Sequence, residues 1–296
     1  MALSLAITGA NSAVGSALLR QVVGRADIEA VGIVRRPDAL AAVPDGPAVR
    51  GAVARYDDAA ALGAALDGAG CVVHLAGILF ESRTTRYEDA NVGTTRALVD
   101  AARGAGVRRV VFISSIGADP DSPNGYFRSK GEAERVVTAS GMAATIIRTP
   151  LLLGPATAGG RALVAAASRP TVRTLGGGAH TLRPLDVDDL CLAILHAAAE
   201  PASGIALHDL VGPTPITHRA LLERMAALLG HQISVRATPI WLARLGASVA
   251  GRCRTGGMTP AVIDVITSSE SVAHNADRDL GLTLTPLQDT LRTLVP

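Results

Sequence analysis

Lys130 is the only lysine among 296 residues, in a chain whose other basic side chains are all arginine. It stands four positions after Tyr126, one of three tyrosines. Positions i and i+4 of a helix share a face. An ammonium there can lie against the phenol, stabilise the phenolate and lower a pKa that starts near ~10 by roughly 1–3. So tuned, Tyr126 is an acid/base usable near neutral pH. A guanidinium fills the post less well, being broad and planar where an ammonium is a compact point charge on a flexible stem. Ser115 closes the apolar run Val110 to Ile113. A hydroxyl at the carboxyl end of a strand points into the crevice where open α/β sheets bind ligands. Ser115, Tyr126 and Lys130 are therefore the candidate catalytic residues, against the plainer reading of a solvated lysine on a helix face.

The elements that must position these groups can be read in order. Leu3 to Ile7 is an apolar strand, followed by Thr8-Gly9-Ala10-Asn11-Ser12-Ala13-Val14-Gly15 and a helical pattern to Val23. Strand, glycine turn and helix is the opening of a dinucleotide-binding unit. Gly9 permits the tight turn and Gly15 close helix packing, while the helix's free N–H groups and dipole receive a pyrophosphate. A second strand, Ala30 to Val34, ends in Arg35-Arg36, where an acid on the ribose hydroxyls would mark NAD preference. Two guanidinium groups suit a 2′-phosphate instead. Further strands are expected at Val49–Val53, Cys71–Leu75, Val110–Ile113, Ala144–Ile147 and Ile205–Leu210. Helices are expected at Asp58–Leu66, Tyr87–Arg103, from Tyr126 to Ser140, and near Ala162–Ala167, Ala220–Leu229, Trp241–Val249, Ala261–Thr267 and Leu287–Leu294, with another opened by Arg183 to Asp189. The pattern defines an α/β fold: a doubly wound parallel sheet of Rossmann type with a small irregular C-terminal substrate-binding region. Residues 1–155 read as the dinucleotide-binding core, and 156–296 as core completion plus that region.

Ser115 with Tyr126-x-x-x-Lys130 resembles the active site of the short-chain dehydrogenase/reductase superfamily. The resemblance implies that Tyr126 exchanges a proton with a substrate oxygen, that Ser115 polarises the same oxygen, and that Lys130 tunes the phenol and holds the nicotinamide ribose. His74-Leu75-Ala76-Gly77 is similar to the superfamily's small-residue turn, which places Ala76 and Gly77 beside that ribose. Arg148-Thr149-Pro150 resembles the loop passing the nicotinamide carboxamide. Two departures stand out: Ser12 replaces the usual middle glycine, and Arg55 stands about where an acid often reads adenine. Asn91-Val92-Gly93-Thr94 matches a helix motif of the extended and atypical branches, with Asn91 as a buried amide. Ala76 to Glu81, Ser114 to Pro123 and Arg183 to Asp189 sharpen the likeness to atypical members related to the nucleotide-binding accessory subunit of respiratory complex I, over residues 1 to about 200. His74 reads as a packed histidine rather than a catalyst.

Composition narrows the remaining choices. A formal charge of +2, no basic run and 2% aromatics disfavour nucleic acid as a partner. Cys71, Cys191 and Cys253 are isolated, odd in number and without metal-ligand spacing, so neither a disulfide framework nor a metal site is expected, which fits a reducing cytoplasm. Met1 to Ile7 lacks a basic leader and runs into the glycine turn, and no apolar run is long enough for an integral membrane segment. The expected function is an NADP-dependent oxidoreductase transferring hydride on a carbonyl/alcohol pair, with NAD as the other candidate cofactor. Its partner is a small-molecule substrate, and a homodimer is compatible. Leu79, Phe80, Leu151 and Leu152, with the loops after Gly154, are expected to make an apolar pocket. The alternatives are a non-catalytic NADP(H)-binding subunit or redox sensor, and a nucleotide-sugar epimerase or dehydratase. Ile116-Gly117 stands where a dehydratase of that kind usually carries acids.

Overall fold

The computed structural model describes residues 2–201, 203–253 and 258–295; the side chains of 249–253, and with them Cys253, lie outside that description, as does Met1. Six strands, β1 (Leu3–Thr8), β2 (Ile28–Val34), β3 (Val49–Val53), β4 (Cys71–His74), β5 (Arg109–Ser115) and β6 (Ala143–Thr149), join Ile205–Asp209 in one seven-stranded sheet. Every pairing in it is parallel. The inner strands of the sheet are buried on both faces, so they read as continuous apolar runs rather than alternating ones. Numbering Ile205–Asp209 seventh, the strand order is 7-6-5-4-1-2-3. The order in which strands are added reverses between β1 and β4, so the carboxyl ends of those strands flank the crevice where such folds take ligands.

The helices are α1 (Ala13–Val22), α2 (Ala59–Leu66), α3 (Thr94–Gly104), α4 (Gly125–Thr138), α5 (Ala158–Ala167), α6 (Val187–Ala199), α7 (His218–Leu228), α8 (Ile240–Cys253), α9 (Pro260–Thr267) and α10 (Leu287–Arg292). Most start where the sequence offers an oxygen to an orphan amide. Ser12, Asp58, Asn124, Thr157, Asp186, Thr217 and Thr259 each accept a bond from a first-turn N–H. One core packs α1 and α6 on one face of the sheet, around Leu18, Leu19, Leu190 and Ile194. A second packs α2, α3 and α4 on the other, around Leu62, Leu98 and Val137. A third lies apart from the sheet, where α5, α7 and α10 enclose Leu163, Leu222 and Leu291. The C-terminal half thus both finishes the sheet and builds its own core. Among the described residues no helix is long and apolar enough to cross a membrane.

The expected single helix over Tyr87 to Arg103 is divided. Glu88–Gly93 winds as a π-turn before α3. The hydroxyls of Thr94 and Thr95 bond back to the carbonyls of Ala90 and Asn91, at 2.7 and 2.6 Å. Such back-bonding competes with the regular helix ladder, and π-turns cluster at functional sites.

Candidate active site

Ser115, the last residue of β5, and Tyr126, in the first turn of α4, line one cavity of about 430 Å³. Asn124 aims that turn. Its Oδ1 accepts from the amides of Tyr126 and Phe127, at 3.0 and 3.4 Å, and its Nδ2 donates to the Ala261 carbonyl at 2.9 Å. One side chain therefore caps α4 and ties it to α9. Gly131 fixes the other side of the helix: a Cβ there would lie 2.2 Å from the Pro120 nitrogen, so the loop after Ser115 packs directly on α4.

Lys130 lies one turn beyond Tyr126 and is 6% exposed. Its Nζ donates to the Ile113 carbonyl at 2.8 Å and sits 4.5 Å from the centre of the Phe112 ring. Burial pushes the ammonium down to about 8, opposed by the Glu134 carboxylate one turn further along α4. Glu134 is held by Arg148 of β6 in a two-pronged ion pair at 2.9 and 2.6 Å. Tyr126, Lys130 and Glu134 thus form an i, i+4, i+8 ladder clamped at its far end. Burial raises the Tyr126 phenol above its ordinary value of 10.0, and hydrogen bonding with Ser115 opposes that rise. The expected lowering of the phenol by Lys130 is not what this geometry produces. The ammonium is turned to the Ile113 carbonyl, and desolvation prevails at the phenol.

Asn91, 1% exposed, clasps the turn after β4 to α4. Its Oδ1 accepts from the Ile78 amide at 2.8 Å, and its Nδ2 donates to the Ile78 carbonyl at 3.3 Å and to Ser129 Oγ at 2.9 Å. A Cβ on Gly77 would meet Asn91 Oδ1 at 3.1 Å and Lys130 Nζ at 3.9 Å, so Ala76-Gly77 passes beside the lysine. His74 is fully buried, between Thr8 Oγ1 at 2.7 Å and Thr95 Oγ1 at 3.2 Å, and stacked on Phe112. Burial, with the nearby Lys130 charge, pushes its imidazole down to about 3, so it is a neutral packing group.

The β1–α1 turn has the shape a dinucleotide requires. Gly9 adopts φ +70°, and a Cβ on Gly15 would lie 2.4 Å from the Gly9 carbonyl oxygen. Ser12 Oγ accepts from the Gly15 amide at 3.0 Å, so the serine in the middle position caps the helix. The amides of Ala13 and Val14, in the first turn, have no intrahelical acceptor and remain for an anion. Asn11 is exposed on this turn. Arg35 and Arg36 are exposed just beyond β2. They are not equivalent: Arg36 pairs with Asp38 at 3.1 Å, whereas the Arg35 charge reaches Tyr56, which packs edge-on against His74. Arg55 is taken by Asp57 in a two-pronged pair at 2.8 and 2.6 Å.

The cavity wall corrects the expected pocket. Leu79 and Leu151 line it, as does Pro150. Phe80 does not, being 49% exposed. Leu152 does not either, because it pairs with Leu185 in a short parallel bridge and packs on the sheet core. The wall is completed by Leu163, Leu182, Leu222 and Ile266, and by polar groups the sequence did not mark: His180, His218 and Glu270. Glu270 accepts from the amides of Leu151 and Arg183, both at 2.7 Å, and burial raises its carboxyl. Cys71 and Cys191 are free, buried thiols, pushed up by desolvation.

This architecture is that of a nucleotide-binding oxidoreductase-like or epimerase-like fold. The chain belongs to the NAD(P)H-binding family, whose model matches residues 9–197. It is 30% identical over 164 residues to NADH dehydrogenase [ubiquinone] 1 alpha subcomplex subunit 9, mitochondrial, of Arabidopsis thaliana, a match covering 53% of this chain and 40% of that protein. It is 32% identical over 170 residues to Sterol demethylase protein B of Methylococcus capsulatus, covering 50% and 51%. The chain thus spans about half, or less, of these curated relatives. Among solved structures, MoeE5 in complex with UDP-glucuronic acid and NAD superposes with TM-score 0.76 at 24% identity, covering 98% of this chain and 97% of that one. Citrobacter sp. triphenylmethane reductase complexed with NADP(H) gives TM-score 0.76 at 18% identity, covering 98% and 100%. At such identities the structures speak for the fold alone.

Proposed function

We propose that the protein is an NADPH-dependent reductase of a carbonyl group on a neutral, predominantly apolar substrate. The observation that carries this reading is the opening of Ser115 and Tyr126 together into a cavity whose wall is mostly apolar, with leucine its commonest residue. Residues 1–155 hold the nucleotide: Gly9, Asn11, Ser12, Ala13, Val14 and Gly15 the pyrophosphate, Arg35 with Arg36 the 2′-phosphate, and Ala76, Gly77, Lys130 and Pro150 the nicotinamide half. Residues 156–296 complete the sheet and shape the substrate chamber. When bound, the nicotinamide supplies hydride. Ser115 orients the substrate oxygen and Tyr126 donates its proton to it. A phenol raised by burial is protonated at neutral pH and so carries the proton that the reductive step needs.

Among the described lining residues there is no arginine or lysine to meet a diphosphate, which disfavours a nucleotide sugar. The name of the sterol-linked relative is in keeping with an apolar substrate. A second reading, a nucleotide-binding subunit without turnover, draws on the complex I relative and on the turning of Lys130 Nζ to a backbone carbonyl. Single-turnover oxidation of NADPH over a panel of apolar ketones and quinones separates the two. Tyr126→Phe should lose at least a hundredfold in rate, the scale of general acid catalysis, with the NADPH Kd unchanged. Reduction of no panel member by the wild type would favour the second reading.

A further inference from the structure

The chamber carries a second polar feature, remote in sequence from Ser115 and Tyr126. Thr181–Leu182 pairs antiparallel with Ile216–Thr217, in the register Thr181 opposite Thr217, so His180 and His218 are cross-strand neighbours. The His218 amide donates to the His180 carbonyl at 3.1 Å, and the two rings lie 5.1 Å apart, tilted by 46°. The approach is built into the backbone. Gly178 adopts φ +71°, and a Cβ there would stand 2.9 Å from the Arg219 amide nitrogen, so only glycine lets the 176–180 segment close on the start of α7. Both rings line the same cavity as Tyr126. Among the described residues no hydrogen bond engages any of their four ring nitrogens.

We propose that His180 and His218 form a substrate-binding subsite for a neutral hydrogen-bonding group, a hydroxyl or an amide, carried by the apolar substrate away from its reacting carbonyl. A neutral imidazole offers one N–H donor and one acceptor nitrogen, so a facing pair serves a hydroxyl or amide in both senses. Burial keeps them neutral: it lowers His180, and lowers His218 to about 4 with help from the neighbouring ring. The other titratable groups facing the chamber are Tyr126 and Glu270. The Glu270 carboxyl, raised by burial, is already engaged by two backbone amides. The pair therefore suits a polar, uncharged group, since an anion would meet no arginine or lysine among the described lining residues and pure hydrocarbon would leave the imidazoles unpaired.

The test uses straight-chain methyl ketones of six to twelve carbons, each paired with its ω-hydroxy counterpart. The inference rests on the apolar-ketone reading for this choice of probe, and calorimetric binding to the protein loaded with oxidised NADP, which has no hydride to transfer, keeps its outcome separate from turnover. At one chain length the hydroxy ketone should bind about tenfold tighter than its partner, the scale of one or two net hydrogen bonds. The preference should vanish in His180→Phe/His218→Phe, with the plain ketone bound as well or better, and should return in part in His180→Asn/His218→Asn. If turnover occurs, the Phe pair should raise the ratio of KM for the hydroxy ketone to KM for the plain ketone about tenfold. Equal binding of the two series at every length in the wild type, absence of binding, or a preference surviving the Phe pair would overturn the subsite. Binding with the preference but without NADPH oxidation would sink the reductase reading and leave the subsite standing.

Discussion

Replacing Lys130 by methionine should make the protein more stable at neutral pH while disabling the site. Burial takes the ammonium from 10.5 to about 8, and at ~1.36 kcal/mol per pKa unit the charged form costs the folded state about 3 kcal/mol. Because the folded value lies below the unfolded one, the unfolded chain holds more protons between about pH 8 and pH 10.5, and stability rises with pH across that window. Below pH 8 the penalty is present in full. Methionine keeps the apolar stem and removes the charge, and it also loses the bond to the Ile113 carbonyl, a loss of about 1 kcal/mol. The net is a gain of about 2 kcal/mol at pH 7, or roughly 4 °C in Tm for a chain of this size. Urea and thermal melts of wild type and Lys130→Met at pH 7 and at pH 10 measure it. The advantage should shrink towards the higher pH and then reverse, as only the lost bond remains. A variant less stable than wild type at pH 7, or an advantage independent of pH, would refute the reasoning. A buried charge that costs stability is kept for what it does, which is why the solitary lysine points to function.

Arg35→Ala should weaken NADPH binding about tenfold or more and leave NADH nearly unchanged, because a guanidinium–phosphate contact is lost. Arg36→Ala should do much less, since that side chain already pairs with Asp38; titrating both cofactors into both variants checks the order, and equal NADPH and NADH affinities in the wild type would remove the NADP preference. Gly131→Ala should destabilise the fold by about 2–3 kcal/mol, because the new methyl falls 2.2 Å from the Pro120 nitrogen, a backbone atom that cannot swing aside. A denaturation midpoint unchanged from wild type would show that the loop after Ser115 is not seated on α4 as described.

The parts of this protein legible in its sequence are those decided by neighbours along the chain. The turn from Gly9 to Gly15, the apolar strand runs and the four-residue step from Tyr126 to Lys130 all express backbone geometry within one or two turns, and each stands where the residues place it. The parallel sheet follows from alternating strands and helices, since parallel neighbours need a crossover between them. Tertiary structure alone decided where side chains spend their polar atoms. Asn91 reaches Ser129 across 38 positions, Glu270 reaches the Leu151 amide across 119, and His180 meets His218 because Gly178 permits the approach. Leu151 and Leu152 are adjacent and equally apolar, yet Leu151 lines the chamber and Leu152 packs on the core, because successive residues of an extended segment face opposite ways. Lys130 is the sharpest case. The sequence put the ammonium on the face of Tyr126, but burial beside Phe112 and the bond to Ile113 set its charge and direction, and desolvation raises the phenol the sequence expected it to lower.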